Sequence, residues 1–194
     1  MMYGEILNKH IVNSDNMVKA ELQEERVVIW DKDTANEIFE SGWYGDFSED
    51  RLELSLIEAA LLAERQKIEI VKNKKKMSFQ EFFKYCLKID PRFSIRYAVY
   101  RDLRERGLPV RTGFKFGCDF RVYERGVKPI KKGPKAPHEH TKWIVFSVPE
   151  DYNCSFQELS RAVRLAHNIR ANMLWAVVDN ENDVTYYSIT YLSP

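Results

Sequence analysis

The spacing of apolar and polar positions changes several times along the chain, and each change predicts an element. "RVVIWD" (26–31) is rich in β-branched residues and ends on Trp30, the composition of a strand. "DTANEIFES" (33–41) follows with helical spacing and predicts a short helix capped by Asp33 and ended before Gly42. "GWYGDF" then interrupts the pattern with two glycines. In "SLIEAALLAERQK", Leu56, Ala59, Ala60 and Ala63 recur at three- and four-residue steps, which places them on one face of a helix. "KIEIV" reads as a strand, and the four lysines of "KNKKK" as a solvated turn.

The second half alternates more regularly. Pro91 disfavours helical backbone at Asp90 and marks a boundary there. Beyond it the pattern predicts a helix over 92–106 ended by Gly107, strands near 108–111, 115–124 and 141–148, a helix over 155–172, and strands over 174–179 and 183–192. "LWAVVD" has the continuous apolar character of a strand covered on both faces. The helix "SFQELSRAVRLAHNIRANM" is expected to bury Phe156, Leu159, Val163, Ala166 and Ile169, with Arg164, Asn168 and Ala171 on another face. The letters "SFQE" occur twice, at 78–81 and 155–158, and each predicts a capping box between serine and glutamate. The expected fold class is α/β. A small α+β N-terminal domain (1–90) precedes a mixed-sheet α/β domain (91–194) flanked by helices.

Composition narrows the function classes. The 194 residues are 44% apolar and 30% charged, as in a folded domain with a real core. No apolar run is long enough to span a bilayer, and the first residues lack the apolar core of a signal peptide, so a cytoplasmic protein without membrane contact is expected. Cys86, Cys118 and Cys154 are odd in number and widely spaced, which suggests neither a disulfide framework nor a zinc ribbon. A net charge of +1 argues against a protein that coats nucleic acid indiscriminately, but allows a local basic site.

One such site stands out. "RVYERGVKPIKKGPKAPHEHTKW" (121–143) holds seven lysines and arginines against two glutamates, together with Tyr123, His138 and His140. Three readings of it are open: a solvated hairpin loop, a metal pair formed by His138 and His140 on one face of a strand, or a site that handles an anion. The metal reading needs a third ligand, and no cysteine, histidine or carboxylate nearby has recognisable spacing. A metal-free site that cuts RNA through the adjacent 2′-hydroxyl needs a base, an acid and a cation. Histidine, with an ordinary pKa of about 6.5, suits the acid; tyrosine, at about 10, is a base that a nearby cation would assist. Hairpin connectivity brings Tyr123, at the end of one strand, towards His140, at the start of the next. Arg164 on the long helix could face a phosphate or stack on a base.

"YAVYRDLRERGLPVRTGFKFGCDFRVYERG", "HEHTKWIVFSVPED", "LSRAVRLAHNIR" and "LWAVVDNENDVTYYSITYLSP" together resemble the catalytic domain of archaeal tRNA-splicing (tRNA-intron) endonucleases. The likeness runs, with one insertion, from about Tyr97 to the C-terminus; the N-terminal half is similar to that family's amino-terminal domain in layout. The resemblance implies a homodimeric or tetrameric enzyme that cuts bulge–helix–bulge RNA in precursor tRNA. It would use neither metal nor cofactor and leave 2′,3′-cyclic phosphate and 5′-hydroxyl ends. It implies Tyr123 as general base and His140 as general acid, gives His138 no role, and matches Arg164 to one of two arginines that sandwich a flipped base. No second arginine is evident; Ser188 stands near its expected place. Asp179, Glu181 and Asp183 resemble a loop that docks into a basic pocket of another subunit, and the last strand resembles a dimer-forming strand.

Two departures from the family pattern matter. The loop 127–137, with Lys128, Lys131, Lys132 and Lys135, resembles a lysine-bearing insertion of branches with relaxed RNA requirements, typically built from two kinds of subunit. It would add salt-sensitive phosphate contacts. Ala171 stands where the family has its catalytic lysine. Either the lysine was replaced deliberately, or the chain is a naturally degenerate, non-catalytic RNA-binding or structural subunit; the retained Tyr123 and His140 favour the first. A metal-dependent nuclease of similar sheet topology is a third expectation to be tested.

Overall fold

Two β-sheets divide the described residues, and the amphipathic helices fill the space around and between them. The computed structural model describes residues 17–113, 117–130, 133 and 136–192. The first sheet is formed by β1 (Val18–Gln23), β2 (Arg26–Ile29), β3 (Asp46–Ser48), β4 (Arg51–Ser55), β5 (Ile68–Lys72) and β6 (Lys75–Lys76), in the order β3-β4-β2-β1-β5-β6. Only β1 and β5 pair in parallel, and the helix α2 (Leu56–Glu64) lies in the connection that makes this possible. The second sheet has the order β11-β10-β9-β8-β7, from β7 (Val110–Thr112), β8 (Phe120–Val122), β9 (Trp143–Pro149), β10 (Asn172–Val178) and β11 (Val184–Ile189). Here β9 and β10 are parallel, and α5 (Phe156–Asn168) provides their crossover. The α/β class with a mixed second sheet is thus the observed one.

The first helix, α1 (Lys32–Glu40), starts two residues earlier than its sequence suggests. Asp31, not Asp33, is the cap: it is still extended as the chain leaves β2, and its carboxylate accepts from Thr34 N at 3.0 Å. Asp33 sits in the first turn, where its charge suits the helix dipole. The lysine turn contains two residues of positive φ, Asn73 and Lys74, and its last two lysines form β6.

One hydrophobic cluster crosses from the first sheet to the second. It includes Phe82 and Cys86 of α3 (Phe79–Ile89), Phe93, Tyr97, Tyr100 and Leu103 of α4 (Phe93–Glu105), and Phe120, Val122, Val145, Ala176 and Val178 of the second sheet. The spacing 93, 97, 100, 103 keeps one stripe of α4 in this core. A smaller cluster lies on the opposite face of the second sheet, where Ala162, Val163 and Ala166 of α5 cover Ile144, Val148, Met173 and Trp175. The "LWAVVD" segment is therefore covered on both faces, as its composition suggests. Phe156 was expected in this second cluster but is 91% exposed, because α5 begins beyond the sheet it covers.

Polar groups also tie the two sheets. Arg111 on β7 is buried and donates to Trp43 O at 2.9 Å and Gly45 O at 2.6 Å, besides pairing with Asp46. The buried Glu58 lies 3.7 Å from the same guanidinium and accepts from Gly45 N and Ser55 N. Gly45 is required in this knot: its φ is +69°, and a Cβ would meet Glu53 O at 2.7 Å. The two glycines of "GWYGDF" thus mark a junction between the sheets.

Candidate active site

The candidate residues gather where three strands of the second sheet share one end. β8 runs antiparallel to β9, and β10 parallel to it, so the C-terminal end of β8 meets the N-terminal ends of β9 and β10. Val122, Trp143 and Asn172 form the last paired row. One step further on each strand are Tyr123, Lys142 and Ala171. Backbone bonds hold this extension together: Lys142 N donates to Val122 O at 2.9 Å, and Asn172 N to Lys142 O at 2.8 Å.

Tyr123 does not continue the strand to 124 as its composition suggests. β8 ends at Val122, Tyr123 N donates to Pro109 O at 3.0 Å, and the chain turns through Gly126 with a φ of +80°. Of the expected strand 115–124, residues 114–116 lie outside the described residues and 117–119 form a turn. The tyrosine is 2% exposed. His140, by contrast, is exposed; it follows a short 3₁₀ turn, Pro137–Glu139, in which the Glu139 carboxylate accepts from Ala136 N at 2.7 Å. His138 belongs to that turn. The two histidines therefore do not alternate along a strand, and the strand-face metal pair is not formed.

Ala171 is not on α5. The helix ends at Asn168, Arg170 takes a positive φ of 56°, and Ala171 N donates to Ala166 O as the chain passes into β10. The expected face of Arg164, Asn168 and Ala171 is lost, because the helix is shorter than its apolar spacing suggests. Position 171 moves instead onto the end of the sheet, beside Lys142. Arg164 stays exposed on α5, with no ion pair among the described residues. Ser188, near the place expected for a second arginine, pairs with Leu174 on the edge strand β11.

Other candidate residues lie elsewhere. Lys128 rests over the Trp43 ring, its Nζ 5.2 Å from the centroid, and so leans on the first sheet's junction. Lys131, Lys132 and Lys135 lie outside the described residues. Asp179, Glu181 and Asp183 form a turn at the far end of β10, roughly 25 Å from Ala171 at the rise of an extended strand. In that turn the Asp179 carboxylate accepts from the backbone of both Glu181 and Asp183 at 2.9 Å, which leaves the other two carboxylates pointing to solvent. No helix among the described residues is long and apolar enough to cross a membrane.

Two residues of the site were not singled out from sequence. Lys142 pairs with Glu124, and its ammonium also sits 4.7 Å from the centre of the Trp143 ring. The ion pair to Lys142 holds the Glu124 carboxyl below its ordinary range, with a smaller contribution from His138. The available signal was a lysine and a glutamate flanking the two ends of one predicted hairpin. Together the strand ends present a tyrosine, a histidine and an ammonium, the group types needed to move a proton to and from oxygen and to meet a developing negative charge.

Comparison with known proteins gives a consistent result. Residues 93–186 match the model of the tRNA intron endonuclease catalytic C-terminal domain, and residues 18–83 that of the tRNA intron endonuclease N-terminal domain. A tRNA-splicing endonuclease of Thermococcus onnurineus is 42% identical over 157 residues, covering 81% of this chain and 86% of its own. That of Thermococcus kodakarensis is 40% identical over 171 residues, covering 88% and 96%. That of Methanococcus maripaludis is 39% identical over 176 residues, covering 90% and 94%.

Proposed function

The chain belongs to the tRNA intron endonuclease family, and from that premise we propose that it is a cytoplasmic subunit that cuts precursor tRNA at bulge–helix–bulge intron junctions. The 2′-hydroxyl attacks the adjacent phosphorus. Tyr123 accepts the hydroxyl proton, the O2′–P bond forms, the P–O5′ bond breaks, and His140 protonates the departing O5′. The products are a 2′,3′-cyclic phosphate and a 5′-hydroxyl. Arg164 stacks on a flipped bulge base, since a guanidinium plane suits a splayed nucleotide, and Lys128, Lys131, Lys132 and Lys135 add phosphate contacts. Asp179, Glu181 and Asp183 contact a basic surface of another subunit in a homo- or hetero-tetramer. The chain divides at Asp90 into an N-terminal domain and the catalytic domain.

What carries this reading is that three strands share one end of one sheet, with Tyr123 directly after β8, Ala171 directly before β10 and His140 three residues before β9. Alanine at 171 leaves transition-state charge without its partner, a loss on the order of 10²–10³ in rate. The same alanine, with the burial of Tyr123, favours the second reading, a subunit that binds RNA or supports an active copy without cutting.

The Ala171→Lys protein separates them in a single-turnover assay on a bulge–helix–bulge RNA. Cleavage is expected to rise by about 10²–10³, to give cyclic-phosphate ends, and to persist in EDTA. No cleavage by the Ala171→Lys protein, alone or with a second subunit, would leave the non-catalytic reading standing. Cleavage lost in EDTA would restore the metal-dependent one.

A further inference from the structure

The catalytic reading needs a cation, and position 171 supplies none. Among the described residues, the other basic side chains near the three strand ends are directed elsewhere. Arg121 Nε donates to Thr112 O at 3.3 Å, and Arg125 Nε to Arg106 O at 2.8 Å, both on the β7 side. Arg170 is exposed in the left-handed turn that ends α5. Lys142 differs from these. It stands in the same cross-strand row as Tyr123 and Ala171, two residues after His140, and its carbonyl accepts from both the backbone and the side-chain nitrogen of Asn172, the residue after Ala171.

Resting on the endonuclease reading, we infer that Lys142 is a further catalytic residue, which takes the charge-stabilising role that position 171 cannot fill. Glu124 and the Trp143 ring hold its ammonium in place before any RNA arrives. A fixed donor needs little reorganisation when charge develops on the phosphorane, which is why pre-placed groups are effective. The Lys142 side chain is 40% exposed and that of Glu124 42% exposed, so a non-bridging phosphate oxygen can join or replace the carboxylate. Sharing with Glu124 also makes Lys142 a weaker substitute than a lysine at 171. The protein with Ala171 therefore retains a residual activity, and Lys142 accounts for it.

A double-mutant cycle tests this, combining Lys142→Met with Ala171→Lys and reading single-turnover cleavage of a bulge–helix–bulge RNA. With Ala171 in place, the Lys142→Met protein should cut on the order of 10²-fold more slowly, with RNA half-saturation within about threefold and an unchanged thermal midpoint. Lys142→Arg should keep the residual rate within about tenfold, as a guanidinium still carries the charge. In the Ala171→Lys background, the same Lys142→Met change should cost less than about fivefold, because the second cation covers its loss. Equal losses in both backgrounds, an unchanged residual rate without Lys142, or no detectable rate for the Ala171 protein where the Ala171→Lys protein cuts would each overturn the inference. If neither the parent nor the Ala171→Lys protein cuts, the endonuclease reading itself fails and the inference falls with it.

Discussion

The same four letters, "SFQE", open α3 and α5, yet the two helix starts end in different states. At α3 the capping box is complete: Ser78 Oγ accepts from Glu81 N at 3.3 Å, and the Glu81 carboxylate accepts from Ser78 N at 2.8 Å. At α5 only half of it forms. Ser155 Oγ accepts from Glu158 N at 3.2 Å, while the Glu158 carboxylate turns away to accept from the Tyr152 hydroxyl. The phenylalanines that follow diverge more. Phe79 packs against Phe83 and Tyr97, with ring centres 5.6 and 6.4 Å away, whereas Phe156 is almost fully exposed. Local sequence therefore sets where each helix begins, and the surroundings decide what its side chains do. α3 packs against α2 and α4, and its Tyr85 reaches the β1–β2 turn at Glu24 O. α5 lies on the outside of the second sheet and covers it with small residues, and among the described residues Phe156 in its first turn is left uncovered.

The largest effect expected from this contrast is in the paired truncations. Phe79→Ala should destabilise the protein by about 1–3 kcal/mol, less than a fully buried ring because Phe79 keeps some exposure. Phe156→Ala in dilute protein should stay within about 0.5 kcal/mol. Urea melts of both variants measure the difference. A loss at Phe156 that matches Phe79, and grows with protein concentration, would mean that a neighbouring copy covers the exposed ring.

Next come the serines. Ser78→Ala removes one half of a complete box and disturbs the other, and should cost about 1 kcal/mol or somewhat more. Ser155→Ala removes the only cap bond that its helix start has among the described residues and should cost about 0.5–1 kcal/mol. Equal losses in paired melts would show that the glutamate half of the box adds nothing here.

What could be read in advance follows the same division. The starts of α3 and α5, the mixed character of the second sheet and the hairpin ending near Tyr123 and His140 were legible, because capping residues, alternation and loop length are local signals. The exposure of Phe156 was not, since helical spacing marks an apolar face without telling where along the helix the covered sheet stops. The place of Ala171 was misjudged for a related reason: apolar spacing runs through Ile169, while the left-handed turn at Arg170 ends the helix before it. Asp31 and Asp33 are equally good cap residues, and only the extended exit from β2 selects the first. Lys142 and Glu124 looked like two more charges in a basic stretch. Their pairing depends on the register across β8 and β9, which the sequence does not state.

The smallest expected effect is also the one that separates the two helix starts by sign. Hydrogen bonds from Ser78, backbone first and side chain second, hold the Glu81 carboxyl below its ordinary value. A carboxyl lowered on folding contributes stability above its unfolded pKa of about 4.3 and loses it as pH falls through the folded value. The Tyr152 hydroxyl is raised instead, chiefly by its bond to Glu158 and then by desolvation. A raised phenol contributes its stability below the unfolded value of about 10 and loses it as pH climbs through the folded one. The difference between the parent and Glu81→Gln should therefore shrink below about pH 4 and stay flat in alkali. The difference between the parent and Tyr152→Phe should shrink above about pH 10. Urea midpoints taken across both ranges check this. If the Tyr152→Phe difference does not shrink in alkali, the Tyr152–Glu158 bond is absent in solution, Glu158 is free to complete its box as Glu81 does, and the two helix starts are alike after all.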